Sequence, residues 1–237
     1  MKINPIRTSV FRTGDSLSEF VIKQLGKKKL KEKDVLAITS KIVSLSENEL
    51  VPKSKYPNKV DIVKKEADVY LGAGAFNCHL TIKHGILIPS AGIDESNADG
   101  DYYILYPKDP FASAKKLWQD LKKHYKIKKL GIILTDSHTT PLRRGVTGIS
   151  LAHWGFEGVE SLIGEKDIFG REMKFTHINH ADAIASAAVY LMGETAERKP
   201  LCVISDLNIK FSNKDTSQDC RIEPEEDIYL PILRGKT

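Results

Sequence analysis

The sequence predicts an α+β fold of mixed α/β character, with mixed and antiparallel sheets flanked by helices. Three observations carry that expectation. Short apolar runs that end on polar residues, at 34–40, 128–137 and 200–207, have the length of buried strands. Two longer segments, 110–121 and 181–193, have helical spacing and recognisable ends. Two further apolar runs flank His84 and Gly85 and read as a hairpin, which adds antiparallel pairing to the alternation of strands and helices.

Taken in order, Gly14 and Asp15 precede Leu17, Phe20, Val21 and Leu25, an i, i+3, i+4, i+8 stripe that predicts a first helix. "DVLAITS", Asp34 to Ser40, is the first buried strand. "VDIVKKEADVYLG" reads as a helix ending near Gly72. "HLTIKHGILIP" supplies the hairpin, and "YYILYP", Tyr102 to Pro107, another strand. Asp109 and Pro110 then give an N-cap and a first-turn proline for a helix that shows Ala114, Leu117, Trp118 and Leu121 on one face. "KKLGIILTDS" is a strand that stops on Thr135, Asp136 and Ser137. "ADAIASAAVYLMGE" is a helix of small apolar residues closed by Gly193, and "PLCVISDL" is the last strand. No internal repeat interrupts this order, and the 237 residues are read as one unit that can include discontinuous subdomains.

Composition narrows the class. An apolar fraction of 41% is ordinary for a chain that buries its own core. Three cysteines, Cys78, Cys202 and Cys220, form no CxxC pair and no zinc spacing, so a reduced, cytoplasmic setting is expected. The first residues hold no uninterrupted apolar stretch of signal-peptide type, and nowhere do 18 apolar residues run together, so no membrane partner is expected. The net charge of +5 is concentrated in 23–34 and 115–129. Without an accompanying nucleic-acid motif those runs read as solvated helix faces, and their field suits an anionic small substrate.

Three segments could carry chemistry. "AGIDESNADGD" gathers Asp94, Glu95, Asn97, Asp99 and Asp101 in eleven residues at a strand end. An EF-hand register fails, because with Gly100 at the sixth position Tyr106 falls where a bidentate Glu is required. The remaining carboxylate and amide oxygens are hard ligands that suit Mg²⁺ or Mn²⁺ together with phosphate. "LTDSHTTPLRRG" places Asp136, Ser137 and His138 at a strand end before Arg143 and Arg144, whose forked donors match carboxylate or phosphate. "TSKIVSLSENE" puts Ser40 and Lys41 after a buried strand. Each segment considered alone reads equally as a turn or a cap. No GxGxxG, Walker A loop, HExxH or GxSxG pattern is present, so a nucleotide would be held in some other way and a protein nucleophile is not expected.

Together these stretches resemble a known family. "HGILIPSAGIDESNADGDYYILYPKDPFASAKKL", "GIILTDSHTTPLRRGVTGISLAHWGFEGVESLIGEKDIFGREM" and "AAVYLMGE" occur in the order and spacing of the coenzyme F420-0:gamma-glutamyl ligase family. The likeness runs from "RTGDSL" to "PLCVIS" and leaves about thirty C-terminal residues outside. It implies a GTP- and metal-dependent ligase, two subdomains in an intertwined homodimer, and an amide formed between a small carboxylate and L-glutamate. By position, the resemblance makes Asp94 a metal ligand and Asn97 a nucleotide contact. Asp136 with Ser137 forms the second metal pair, Gly193 and Glu194 lie near nucleotide and metal, Ser40 and Lys41 near phosphate, and Thr8 to Phe11 beside the nucleotide.

Amide formation through an acyl phosphate depends on positioning and charge neutralisation, which suits Asp94, Asp136, Lys41 and Arg144 as its agents. The chain also departs from the family pattern. Leu45 stands where a Lys is usual and Thr140 where an Arg is usual; Pro89 and Ser90 replace Ala-Asn, and Glu194 replaces Gln. Loss of two cations weakens the expectation for the acceptor more than that for the metal and nucleotide. A relative that binds a nucleotide without turnover is therefore the competing expectation, and GTP is not separated from ATP.

Overall fold

In a computed structural model the described residues are 1–26, 29–96, 100–223 and 225–233. The strands are β1 Lys2–Ile6, β2 Asp34–Thr39, β3 Leu50–Pro52, β4 Val69–Ala73, β5 His79–Lys83, β6 Ile86–Pro89, β7 Tyr102–Ile104, β8 Leu130–His138, β9 Thr147–Trp154, β10 Val159–Ser161, β11 His177–Asn179 and β12 Leu201–Ser205. The α-helices are α1 Leu17–Leu25, α2 Ser40–Ser46, α3 Lys59–Glu66, α4 Pro110–Tyr125, α5 His180–Met192 and α6 Leu230–Leu233. The fold is thus α+β with mixed and antiparallel sheets, as the sequence predicts.

The main sheet has the order β1-β12-β2-β8-β9. Its one parallel pair is β2 with β8; the other neighbours run antiparallel. Strand alternation divides its side chains between two cores. On one face Leu36 and Ile38 of β2 join Ile132 and Leu134 of β8 beneath α1 and α4, which contribute Phe20, Val21, Leu117 and Leu121. On the other, Val35, Ala37 and Ile133 meet Ala181, Ile184, Ala185 and Ala188 of α5. Both faces of β2 and β8 are covered, which explains why these strands read as continuous apolar runs. The small residues of α5 permit close approach: a Cβ on Gly148 of β9 would lie 2.6 Å from the Ala185 carbonyl oxygen.

A smaller unit stands beside this three-layer body. The meander β4-β5-β6 and the pair β3-β7 enclose a third core of Ile62, Val63, Ala91, Ile93, Tyr103 and Leu105. The segment 210–219 lies against the main body, where Lys210 and Gly155 carbonyls accept from Glu157 and Ser212 and the Asp219 carboxylate accepts from Gly158. Among the described residues no helix is long and apolar enough to cross a membrane.

Three elements differ from the sequence reading. "VDIVKKEADVYLG" divides into α3 and β4, because Asp68 leaves the helix and its carboxylate accepts the His84 amide at 2.6 Å. The strand expected to Pro107 pairs only over Tyr102–Ile104. Ser40 and Lys41, read only as following a buried strand, open a helix, α2.

Candidate active site

The site lies at the carboxyl ends of β2 and β8, where open α/β sheets characteristically present ligand crevices. Thr39 and Thr135 are the last paired residues. The chain of β2 then turns into α2, whereas β8 continues for three residues and carries Asp136, Ser137 and His138 past its neighbour. Leu151 is an unpaired extra residue of β9 opposite Leu134 and Thr135, a bulge of the kind that redirects the side chains beyond it.

The Asp94 segment arrives from the smaller unit by a strained route. Ser90, Ala91 and Gly92 have φ of +51°, +54° and +69°, three successive left-handed residues after β6. Such runs are costly for residues with a Cβ and persist where the surroundings enforce them. Here Thr81 Oγ1 accepts the Ala91 amide at 2.8 Å, and Tyr106 fills the space under Gly92. Past the turn, Asp94 exchanges both backbone hydrogen bonds with Ile104, at 3.0 and 2.9 Å. The acidic cluster of the sequence is therefore divided. Among its described residues, Glu95 pairs with Lys59 and Lys53 at 2.7 and 3.0 Å and Asp101 with Lys53, whereas Asp94 lines the cleft.

Lys41, at the start of α2, donates to Asp94 Oδ2 at 2.6 Å and to the Ser96 hydroxyl and carbonyl at 3.0 and 3.2 Å. Burial alone would raise the Asp94 pKa, but Lys41 and the Ser96 amide outweigh it and hold the carboxylate below its ordinary range. Asp136 behaves oppositely. Burial pushes it up to about 6, with the neighbouring Asp94 charge adding to the rise, although Tyr106 donates to its Oδ2. Two carboxylates facing one cleft are thereby driven apart in proton affinity, a pattern common at functional sites. Ser137 donates to both oxygens of Glu194, each at 2.8 Å, which ties the end of β8 to the segment after α5. Gly193 ends α5 at φ +84°, and its amide donates to the Val189 carbonyl.

The cleft bounded by these groups has a volume of about 1480 Å³. Pockets for a single small ligand measure roughly 300–1,000 Å³, so there is room for more than one. Its walls include Lys41, Asp94, Asp136, Ser137, His138, Gly193 and Glu194, together with Thr8 to Thr13 and the loop 195–200. Of the residues marked in the sequence, Ser40 is 4% exposed and lies beneath the cleft rather than in its wall. Arg144, with Arg143, sits on the exposed turn 139–146 outside the lining. The structure therefore does not bring Arg144 to the other groups: Thr139 and Val146, at the two ends of the turn, line the cleft, but its middle, with Arg143 and Arg144, is exposed outside the lining. Asn97 lies outside the described residues. Tyr106 escaped the sequence reading altogether. It looked like an ordinary strand residue, and only a hydroxyl at a position otherwise suited to an aliphatic side chain marked it.

Among the described residues no three His, Cys, Asp or Glu side chains converge as a closed metal cage. What converges is a pair of carboxylates with a hydroxyl and a lysine in the wall of one cleft.

Such a crevice, built of hard oxygens and a cation at the ends of two parallel strands, belongs to the class of enzymes that handle anionic groups. The profile of the F420-0:Gamma-glutamyl ligase family matches residues 5–206. The chain belongs to that family. It is 30% identical over 237 residues to the Coenzyme F420:L-glutamate ligase of Methanopyrus kandleri, with 92% of each chain covered. Similar ligases from Methanococcus maripaludis (strain S2) and Methanocaldococcus jannaschii are 32% and 30% identical. The first match covers 84% of this chain and 86% of the relative, the second 93% of each. These relatives are ligases, and the chain is accordingly read as an enzyme.

Proposed function

We propose that this chain joins the amino group of L-glutamate to the carboxylate of F420-0, with GTP as co-substrate and Mg²⁺ or Mn²⁺ as the ion. The observation that carries the reading is the convergence of Lys41, Asp94 and Asp136, from three separate segments, on one cleft in a chain of this family. The donor set fits a hard divalent ion, since Mg²⁺ retains several waters and takes one or two carboxylates plus phosphate oxygens rather than a closed protein cage. Asp94 and Asp136 would hold the ion, with Ser137 and Glu194 beside them. Once bound, it would neutralise charge on the transferring phosphoryl group.

The chain's own groups have defined tasks in this scheme. The acceptor carboxylate attacks the γ-phosphorus, GDP leaves, and an acyl phosphate forms; the glutamate nitrogen then attacks the acyl carbon and phosphate leaves. Lys41 exchanges Asp94 for phosphate oxygens, a mobile point charge suited to both partners. Because Leu45 and Thr140 stand where the family has cations, Lys41 carries more of this duty. The attacking amine must lose a proton. His138 lines the cleft, and its Nδ1 faces the Thr147 carbonyl at 3.2 Å. A carbonyl can only accept, so in the neutral ring Nδ1 bears the hydrogen and Nε2 is left as a base.

A homodimer is part of the proposal. The ribbon 159–179, which contains β10 and β11, exposes Ile168, Phe169 and Phe175 by 92, 78 and 86%, apolar surface that a second copy would cover.

The test is incubation with F420-0, L-glutamate, Mn²⁺ and either GTP or ATP, followed by mass detection of the gamma-glutamyl product. Product is expected with GTP and is lost in Asp94→Ala. Undiminished product from Asp94→Ala sinks the scheme, whereas GTP binding without product favours a relative that binds and does not turn over.

A further inference from the structure

The residue that joins the two carboxylate segments is one the motifs did not mark. Tyr106 follows β7 and is 7% exposed. Its ring lies directly beneath the left-handed turn that leads into Asp94: a Cβ built on Gly92 would fall 2.1 Å from Tyr106 Cζ. His84, at the tip of the β5-β6 hairpin, stacks on the ring with centroids 6.3 Å and planes 27° apart. From this wedge the phenol donates to Asp136 Oδ2. One side chain therefore supports the backbone that delivers Asp94 and fixes the rotation of the Asp136 carboxylate.

We infer that Tyr106 is a positioning residue for divalent-ion binding, holding Asp94 and Asp136 in the relative placement that a shared cation requires. This rests on the metal reading proposed above and adds a residue to it. The physical basis is pre-organisation. A carboxylate held by a neighbouring donor enters coordination without losing rotational freedom, and removal of such outer partners commonly lowers metal affinity about 10- to 100-fold. Tyr106 is suited to the role because ring and hydroxyl act on different segments. The ring sets the height of residues 90–94 and the hydroxyl the orientation of 136.

The experiment is titration of the nucleotide-free full chain with Mn²⁺, following the free-ion signal by electron paramagnetic resonance. Tyr106→Phe keeps the ring and loses the hydroxyl. It is expected to retain the fold by circular dichroism, to bind Mn²⁺ about 10- to 100-fold more weakly, and to lower kcat with the KM for glutamate unchanged. Wild-type affinity in Tyr106→Phe overturns the inference, and so does tighter binding, which would make the hydroxyl a competitor of the ion. Asp94→Asn and Asp136→Asn separate the two levels. If they bind Mn²⁺ as the wild type does, the metal reading fails and this inference falls with it; if they lose the ion while Tyr106→Phe keeps it, only the inference fails. Should Tyr106→Phe not fold, His84→Ala decides: it removes the stacking support and leaves the hydroxyl, and a weakened Mn²⁺ affinity supports the inference while an unchanged one overturns it.

Discussion

Asp94 and Asp136 are the same residue type facing the same cleft, yet the protein treats them in opposite ways. Asp94 rides on a strained loop from the smaller unit, partly open to solvent, with Lys41 against it. Asp136 stands at the end of an interior strand, half-buried in the cleft wall, with a neutral phenol as its donor. A cation holds the first as an anion, while desolvation draws the second toward its protonated form. The two carboxylates thus differ in how firmly each holds a proton, although both face the same cleft.

The largest expected effect comes from removing either charge. Asp94→Asn and Asp136→Asn each are expected to cut amide formation at least about 100-fold, measured as initial rate at saturating nucleotide, since ion-borne stabilisation of phosphoryl transfer is worth several kcal/mol. Gly92→Ala disturbs the delivery of Asp94 alone. It adds a Cβ at φ +69° against the Tyr106 ring, and about 2–5 kcal/mol of lost stability is expected in urea unfolding. The two asparagine variants then diverge in the metal-free protein at pH 7. Asp136→Asn removes a charge that burial opposes and keeps an acceptor for Tyr106, so up to roughly 3 kcal/mol of added stability is expected from the rise of its pKa from 3.8 to about 6. Asp94→Asn strands Lys41 and is expected to lose about 1 kcal/mol, since that pair is only partly buried. Equal shifts in the two variants would contradict the contrast.

Acid sensitivity must be kept apart from this pair, and His153 provides the control. It is buried between Phe111 and Phe156 with no partner on Nε2 among the described residues, and burial lowers its pKa from 6.5 to about 4. Between those values the unfolded chain binds a proton that the native state refuses, so stability rises with pH. Acidification through the window is expected to cost up to about 1.4 kcal/mol per pH unit from this residue. His153→Phe should flatten that part of the pH-stability curve without touching the contrast between the aspartates. The smallest effect is expected for Arg144→Ala, within about twofold in kcat/KM, because the turn 139–146 holds that side chain outside the cleft. A large loss there would require the turn to fold inward on substrate.

Much of the frame was legible because its local signals agree with its final environment. The buried pair β2 and β8 announces itself as unbroken apolar runs. α4 begins on an Asp109 carboxylate that accepts the Ala112 amide at 2.9 Å, as its Asp-Pro signature implies. Other elements are set by their neighbours. β1 contains Pro5, which an edge strand tolerates, and nothing local distinguishes it from a loop. α2 has three serines, an isoleucine and a valine, weak helix formers, beside Lys41 and Leu45, and the burial of Ser40 and of residues 42–45 holds it helical. β9 is broken by glycine and histidine and takes its form from β8 and α5.

The site divides along the same line. The sequence by itself determined which oxygens and cations were available, since Asp94, Asp136, Ser137, Lys41 and Glu194 are local facts of composition at strand and helix ends, and family likeness assigned them a chemistry. Only the tertiary structure decided that Asp94 turns inward while Glu95 and Asp101 pair with lysines, that Lys41 crosses 53 positions to Asp94, that Arg144 stays outside, and that Tyr106 stands between the two aspartates. Those outcomes depend on contacts between residues far apart in the chain and on burial, which sets the value of a charge; neither quantity exists until the strands have paired.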